Sequence, residues 1–401
     1  MPKSKKEDAA FLLNEGLTRV VSDPFWHRFD EIPKEILEDP ATIHLNLSGG
    51  WQKIPERIRQ AGYEAVENGY LRIQAVPEFN RAVADKFHND FGVDIDPATE
   101  VISCHGAGDG LFAILSVLLN PGDEVITFDP CYTLSRSVPT FLGATVKTIQ
   151  LAGNSDWIPD IDSIETQLDE ALSPRTRVFI LVNPDNPTGH VFRSEFLARL
   201  GTKLRNHGVL ILEDQVYEKV IYPGHKFSSM MALPGMREQT ICVSSFAKSY
   251  LCAGMKVGYI VAPPMLIQAL RQYYMLNSFT PNTAALRAGA DILQGPQDFL
   301  DDWIKEWDEL RHKTYYALNS ITGVSCSLPG SGTYCFADVS QLGTGDEIAQ
   351  LLMEKARVLV TPGSYYGPGG KNYIRVCYGR TQPEKIEEGL SRIVQTLIAV
   401  N

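Results

Sequence analysis

A doubly wound α/β sheet followed by a smaller α+β unit is the fold that this chain predicts, and three observations predict it. Six short, continuously apolar, β-branched runs recur between residues 101 and 261; helical patterns separate them; and after Pro263 and Pro264 long helices lead into two further strand-like pieces. Continuous apolar runs are what strands covered on both faces require. Their alternation with helices puts them in one largely parallel sheet.

Element by element, residues 23–54, with their Pro, Gly and Trp, read as an irregular lead-in. Strands are predicted at 101–104, 124–129, 176–182, 208–213, 240–244 and 257–261, with helices such as 110–119 and 195–205 between them. Helices at 265–274 and 298–321 follow, then strand-like stretches at 332–338 and 373–378, and an amphipathic helix from Pro383. With 401 residues, two domains are expected at roughly 150 residues each. The division drawn is an N-terminal segment over 1–50 that joins the small domain, a large domain over 51–290, and a C-terminal small domain over 291–401.

Lys and Arg total 37 against 48 Asp and Glu, a formal charge of -11, which argues against a nucleic-acid surface or a basic membrane patch and favours a small-molecule partner. The 7 cysteines are scattered, odd in number and without a CxxC pair, so neither a disulfide framework nor a zinc ribbon is expected. The 8 histidines form no HxxxH or HxH pair, and no metal is expected. Residues 1–10 are a lysine-bearing polar tail without a signal-peptide core, and no window approaches about 20 apolar residues. A cytoplasmic protein is the expectation.

In an open α/β sheet, ligands bind beyond the carboxyl ends of the strands. The glycine turn from His105 to Gly110 leaves a strand and opens a helix, where backbone N–H groups could hold a phosphate or merely make a tight turn. Its spacing does not match a dinucleotide-binding fingerprint. The stretch from Asn183 to Gly189 is locked by two prolines; an amide there could meet an anionic oxygen, although local chemistry alone favours a rigid turn. Asp214 ends a strand as a buried carboxylate seeking a cation, or as a helix cap. Lys248 follows a strand among small and apolar residues, where desolvation lowers an amine's pKa and makes it a nucleophile toward carbonyls, unless it snorkels outward. Lys256 is a second cation near that edge. Arg375 lies in a strand-like run and needs an anion, structural or bound.

Taken in order, the glycine turn, Asn186-Pro-Thr-Gly, Asp214 with Tyr217 three residues on, Ser245-Phe-Ala-Lys248 and the late Arg375 resemble the class I/II aminotransferases, fold type I pyridoxal-phosphate enzymes. The segments starting at Tyr70, Gly332 and Pro362 extend the likeness over nearly the whole chain. The resemblance implies a mostly parallel, seven-stranded sheet flanked by helices, and pyridoxal 5'-phosphate as cofactor. By it, Lys248 is the Schiff-base lysine and general base, Asp214 pairs with the pyridinium nitrogen, and Asn186 and Tyr217 bond the phenolic oxygen. Tyr132 stacks on the ring. Ala107, Gly108, Ser245, Lys256 and a second subunit's Tyr70 hold the phosphate. Arg375 grips the substrate α-carboxylate, with Asn186, Ser48 and Gly49 on the substrate side. A homodimer with shared sites, exchanging an amino group between an amino acid and a keto acid, is implied.

Three departures qualify the match. Lys256 stands where the family usually has arginine, and an ammonium cannot fork around a phosphate. The loop from Asn46 to Trp51 lacks the usual Gly-x-Pro and puts Trp51 on the substrate side. Asp109 places a carboxylate beside the phosphate turn. These keep open a lyase, cyclase, replacement or oxidase reaction on the same cofactor. A non-catalytic regulator finds no basic helix-turn-helix here, and a dehydrogenase leaves Lys248, Asp214 and Asn186 without a role. Phe25 and Trp26 read as packing residues at the start of a segment that could cover the pocket.

Overall fold

The computed structural model describes residues 14–27, 32–151 and 157–399; the polar tail at 1–10 lies outside them. In chain order the strands are β1 (Ile43–His44), β2 (Val101–Cys104), β3 (Glu124–Asp129), β4 (Thr145–Gln150), β5 (Thr176–Val182), β6 (Leu210–Asp214), β7 (Thr240–Ser245), β8 (Gly258–Val261), β9 (Ser325–Cys326), β10 (Tyr334–Asp338), β11 (Val358–Leu359), β12 (Thr361–Pro362) and β13 (Tyr373–Cys377).

Seven of them form one sheet in the order β2-β8-β7-β6-β5-β3-β4. All neighbours pair in parallel except β8, which runs against both β2 and β7. The apolar runs are buried on both faces. Along β5, Val178 and Ile180 belong to one core cluster with Leu115 and Leu270, while Phe179 and Leu181 join another with Phe196 and Leu200. Each such side chain contributes about 1.5–3 kcal/mol, so the sheet is fixed in the middle of two helical layers.

A second, antiparallel sheet has the order β12-β13-β10-β9, and the helices Phe299–Asn319 and Pro383–Ile398 pack together beside it. The lead-in is more ordered than the sequence suggests. It holds short helices at Pro24–His27 and Lys34–Leu37, and β1 pairs in parallel with β11. This tie is long-range and has no local signature. The sequence reading also lacks β4, an edge strand with Ile149 as its one buried side chain, because a strand with a single neighbour needs no continuous apolar run.

Candidate active site

A cavity of about 930 Å³ opens at the carboxyl ends of the parallel strands. Asp214 ends β6, Asn186 lies four residues beyond β5, Ser245 ends β7, and Lys248 sits on the short helix Phe246–Ser249 directly after it; all line the cavity. The reversal of β8 completes this edge. Its first residue, Gly258, pairs with both Ser245 and Cys104, so the turn before β8 brings Lys256 to the place where the other strands end. That turn is strained, with the non-glycine residues Leu251 and Lys256 at φ 55° and 49°.

Lys248 points inward. Its Nζ donates to the carbonyl oxygen of Ser48 at 3.0 Å and lies 2.8 Å from the Ser48 hydroxyl. Burial pulls the amine down to about 8, and the nearby Arg375 guanidinium acts in the same direction. Asp214 is 3 % exposed and accepts from the Val216 N–H at 3.1 Å; among the described residues it has no cationic partner. Burial pushes its carboxyl up to about 7 against that hydrogen bond.

Arg375, on β13, is brought over from the small sheet. One terminal nitrogen donates to Asn186 Oδ1 at 2.9 Å and the other to the Asn46 carbonyl at 3.3 Å. The guanidinium carbon lies 5.1 Å from the Tyr334 ring and 5.0 Å from the Tyr366 ring, and Nε has no hydrogen-bond partner. No carboxylate pairs with it among the described residues. The Tyr217 hydroxyl meets Ser48 Oγ at 2.9 Å, and the Tyr217 ring packs edge-on against Tyr334.

The glycine turn is a cradle. Gly106 has φ 91°, and a Cβ there would come 3.7 Å from Ser245 Oγ; Ala107 then opens the Ala107–Leu118 helix, aiming its N-terminal N–H groups at the cavity. Asp109, the anomaly at this turn, lines the cavity, but one of its carboxylate oxygens is engaged, accepting from the His105 N–H at 2.9 Å and the Tyr274 hydroxyl at 2.8 Å. His105 lines the cavity, and no group of residues able to hold a metal occurs among the described residues.

Of the residues singled out in the sequence, Ala107, Gly108, Tyr132, Asn186, Asp214, Tyr217, Ser245, Lys248, Lys256, Arg375 and Ser48 share the cavity. Gly49 is not among the cavity-lining residues; it lies against Arg380 and Gly379. Trp51 packs on the core instead of adding bulk to the site. Tyr70 lies in a separate hollow of the same chain, bonded to Glu78. Phe25 lines the cavity with its ring against Trp26. Sequence reasoning overlooked Asn46, Tyr334 and Tyr366 as the setting of Arg375, and Arg380 on the cavity wall. Tyr334 and Tyr366 stand inside segments already noted, but a flanking role becomes visible only once β10 and β13 are paired.

The sequence profile of the family described as aminotransferase class I and II matches residues 46–393. An aspartate aminotransferase of Geobacillus stearothermophilus is 31% identical over 350 residues, 84% of this chain and 87% of that protein. An aromatic-amino-acid aminotransferase of Thermococcus litoralis is 28% identical over 86% of this chain and 88% of its own. Among solved structures, an aromatic aminotransferase from Pyrococcus horikoshii superimposes with a TM-score of 0.84 at 27% identity, over 90% of this chain and 98% of that one. The chain belongs to the class I and II aminotransferase family. It is a pyridoxal-phosphate-dependent aminotransferase acting on amino acids.

The residues present fit that cofactor. A buried carboxylate without a cation is costly, and a pyridinium would relieve that cost at Asp214. The Gly106 cradle, the helix N-terminus, Ser245 and Lys256 offer the donors a phosphate needs, and Lys248 is an inward amine lining the same cavity.

Proposed function

Taking that membership as the premise, we propose that Lys248 both bears the cofactor and moves the proton of the reaction, and that Arg375 orients the substrate by its α-carboxylate. When bound, pyridoxal phosphate supplies an aldehyde carbon that captures amines and a cationic ring that accepts electrons from the substrate α-carbon. The observation that carries the reading is the inward Lys248 amine, pulled down to about 8 in a cavity it shares with the unpaired Asp214 and Arg375. An amine of that pKa is largely protonated at neutral pH yet readily gives a neutral fraction, so Nζ can take a proton from the substrate α-carbon and release it again.

Asp214 holds the ring nitrogen in its charged form. With the cofactor bound, Tyr217 and the amide N–H groups of Asn186 would hold its phenolic oxygen, and Tyr132 would stack on its ring. Ala107, Gly108, Ser245 and Lys256 hold the phosphate, joined by the partner subunit's Tyr70. The position of Tyr70 away from this chain's cavity supports the shared dimeric site. Asn186 does double duty: its Oδ1 accepts from Arg375, so the carboxylate grip and the cofactor contact are built on one side chain. Two parallel charge-assisted bonds from Arg375 fix which α-carbon bond faces the ring. Exposed hydrophobics at Val66, Leu71 and Ile73, on or beside the helices around Tyr70, support a subunit contact. The seven-stranded sheet within 51–290 and the four-stranded sheet within 291–401 support the domain division drawn there, although residue 290 falls inside the Thr283–Gln294 helix; no helix among the described residues is long and apolar enough to cross a membrane.

The test is a screen of amino acids against the cofactor-loaded protein without a keto acid, with mass spectrometry of products. Release of the matching keto acid, with the cofactor recovered in its amine form, is expected. Ammonia, a ring-closed product or oxygen consumption would overturn amino transfer in favour of elimination, cyclisation or oxidation.

A further inference from the structure

Ser48 entered as a substrate-side residue, yet its hydroxyl faces two side chains of the reaction machinery. It lies 2.8 Å from Lys248 Nζ and 2.9 Å from the Tyr217 hydroxyl, while its own carbonyl accepts from Nζ at 3.0 Å. Ser48 stands 200 positions from Lys248 in sequence and is carried to it on a firmly held loop. On one side, Leu45 accepts from Cys377 N at 2.7 Å, and Asn46 accepts from both Thr361 and Arg375. On the other, a Cβ on Gly50 would strike Leu251 at 2.3 Å, and one on Gly379 would strike the Gly49 carbonyl at 2.3 Å. The Ser48 hydroxyl therefore has a set position on a pinned backbone.

We propose that Ser48 is a positioning residue: it docks the free Lys248 amine and reverses its hydrogen bond to Tyr217 according to whether that amine is charged. The inference rests on the role assigned to Lys248 above. An ammonium can only donate, so Ser48 Oγ accepts from it and the Ser48 O–H donates to Tyr217, leaving the Tyr217 O–H free to point into the cavity. A neutral amine has a lone pair to accept the Ser48 O–H; Oγ then accepts from Tyr217, which is withdrawn from the cavity. Tyr217 thus offers its proton to a bound ligand while Lys248 carries the proton it has taken. No bond to carbon and no net proton transfer is needed for this reorientation.

Other groups around the amine set its charge but do not replace this link. Arg375, Arg380 and Lys256 are cations that favour the neutral amine, the Cys377 thiol lies on the same strand as Arg375, and Asp214 shares the cavity. Ser48 Oγ lies within hydrogen-bonding distance of both Nζ and the Tyr217 hydroxyl.

The experiment compares the full-length protein with Ser48→Ala, Ser48→Thr and Ser48→Cys in two readouts. The first titrates Lys248 without added cofactor, as the pH dependence of its acylation by acetic anhydride, followed by peptide mass spectrometry. Removing one acceptor of the ammonium in Ser48→Ala is expected to lower the midpoint by roughly one pH unit. The second is steady-state kinetics, where kcat falls about tenfold with KM unchanged, since the amine is less well oriented. Ser48→Thr restores both. Ser48→Cys, nearly isosteric and a poor hydrogen-bond partner, gives the same shift as Ser48→Ala and replaces it should the alanine protein not fold. An unmoved midpoint, or an effect confined to KM, overturns the proposal and returns Ser48 to a substrate contact. A wild-type protein that transfers no amino group at any pH would overturn the functional reading instead, and the acylation titration would still stand or fall by itself.

Discussion

Two sets of buried charges lie on either side of the same strand ends. Behind the sheet, Lys86 meets Glu218 at 2.7 Å and Asp90 at 2.9 Å, and Glu218 also accepts from Tyr259 at 3.0 Å, with the Lys86 and Glu218 side chains only 3% and 1% exposed. In the cavity, Asp214 and Arg375 are likewise buried and Lys248 is half-buried, yet none has an oppositely charged side chain against it among the described residues. The contrast separates charge that holds a fold together from charge that waits for a ligand. A closed network stabilises only the protein, whereas the open one carries a desolvation cost that a cofactor and substrate relieve. The two sets are neighbours in sequence, because Tyr217, which lines the cavity, is adjacent to Glu218, which does not.

The comparison can be broken by exchanging the consequences. The largest expected effect is on the open side: Lys248→Ala should lower amino transfer by about 10⁴-fold or more, since nucleophile and base are lost together. Its unfolding midpoint in urea should be no lower than wild type, and a covalent, borohydride-reducible cofactor adduct on the alanine protein would refute the assignment. On the closed side, Lys86→Met strands the Glu218 carboxylate and should cost about 3–5 kcal/mol of stability. Equilibrium unfolding measures this, while the folded fraction should still bind cofactor with unchanged visible absorption.

Arg375→Ala comes next. Losing a bidentate carboxylate contact should lower kcat/KM by roughly 100-fold, mostly through KM, with cofactor colour retained. Equal damage to colour and KM would mark Arg375 as structural. The smallest effect sharpens the distinction through pH. Asp214 has its carboxyl raised to about 7 from an ordinary 3.8, so between those values the folded, cofactor-free protein binds more protons than the unfolded chain. Stability from this group is therefore present at low pH and lost as pH rises toward 7. Thermal unfolding of the cofactor-free protein should show that decline. Asp214→Asn should flatten it, and added cofactor should reverse it.

Much of the fold was legible because the parallel strands carry their signature locally: β3 and β5 appear in the sequence as apolar runs with the very bounds they have in space. The edge strand β4 did not, since one exposed face and one neighbour demand little of its residues. In the site, Lys248 and Asp214 were visible as polar residues ending apolar runs. The environment of Arg375 was not, because Asn186 is 189 residues from it in sequence and Asn46 is 329 away. Trp51 looked like an obstacle only because its direction was unknown, and Asp109 because its partners His105 and Tyr274 were.

By itself, then, the amino-acid order determined the alternation of elements, the strand that delivers Lys248 and the chemical types gathered at the strand ends, since these depend on near neighbours along the chain. Tertiary structure alone decided that β8 runs backward to bring in Lys256, that Gly49 and Trp51 turn from the cavity, and that the Ser48 hydroxyl falls between Lys248 and Tyr217. Those outcomes depend on strand order and on close backbone approaches between distant segments, which residue periodicity does not encode.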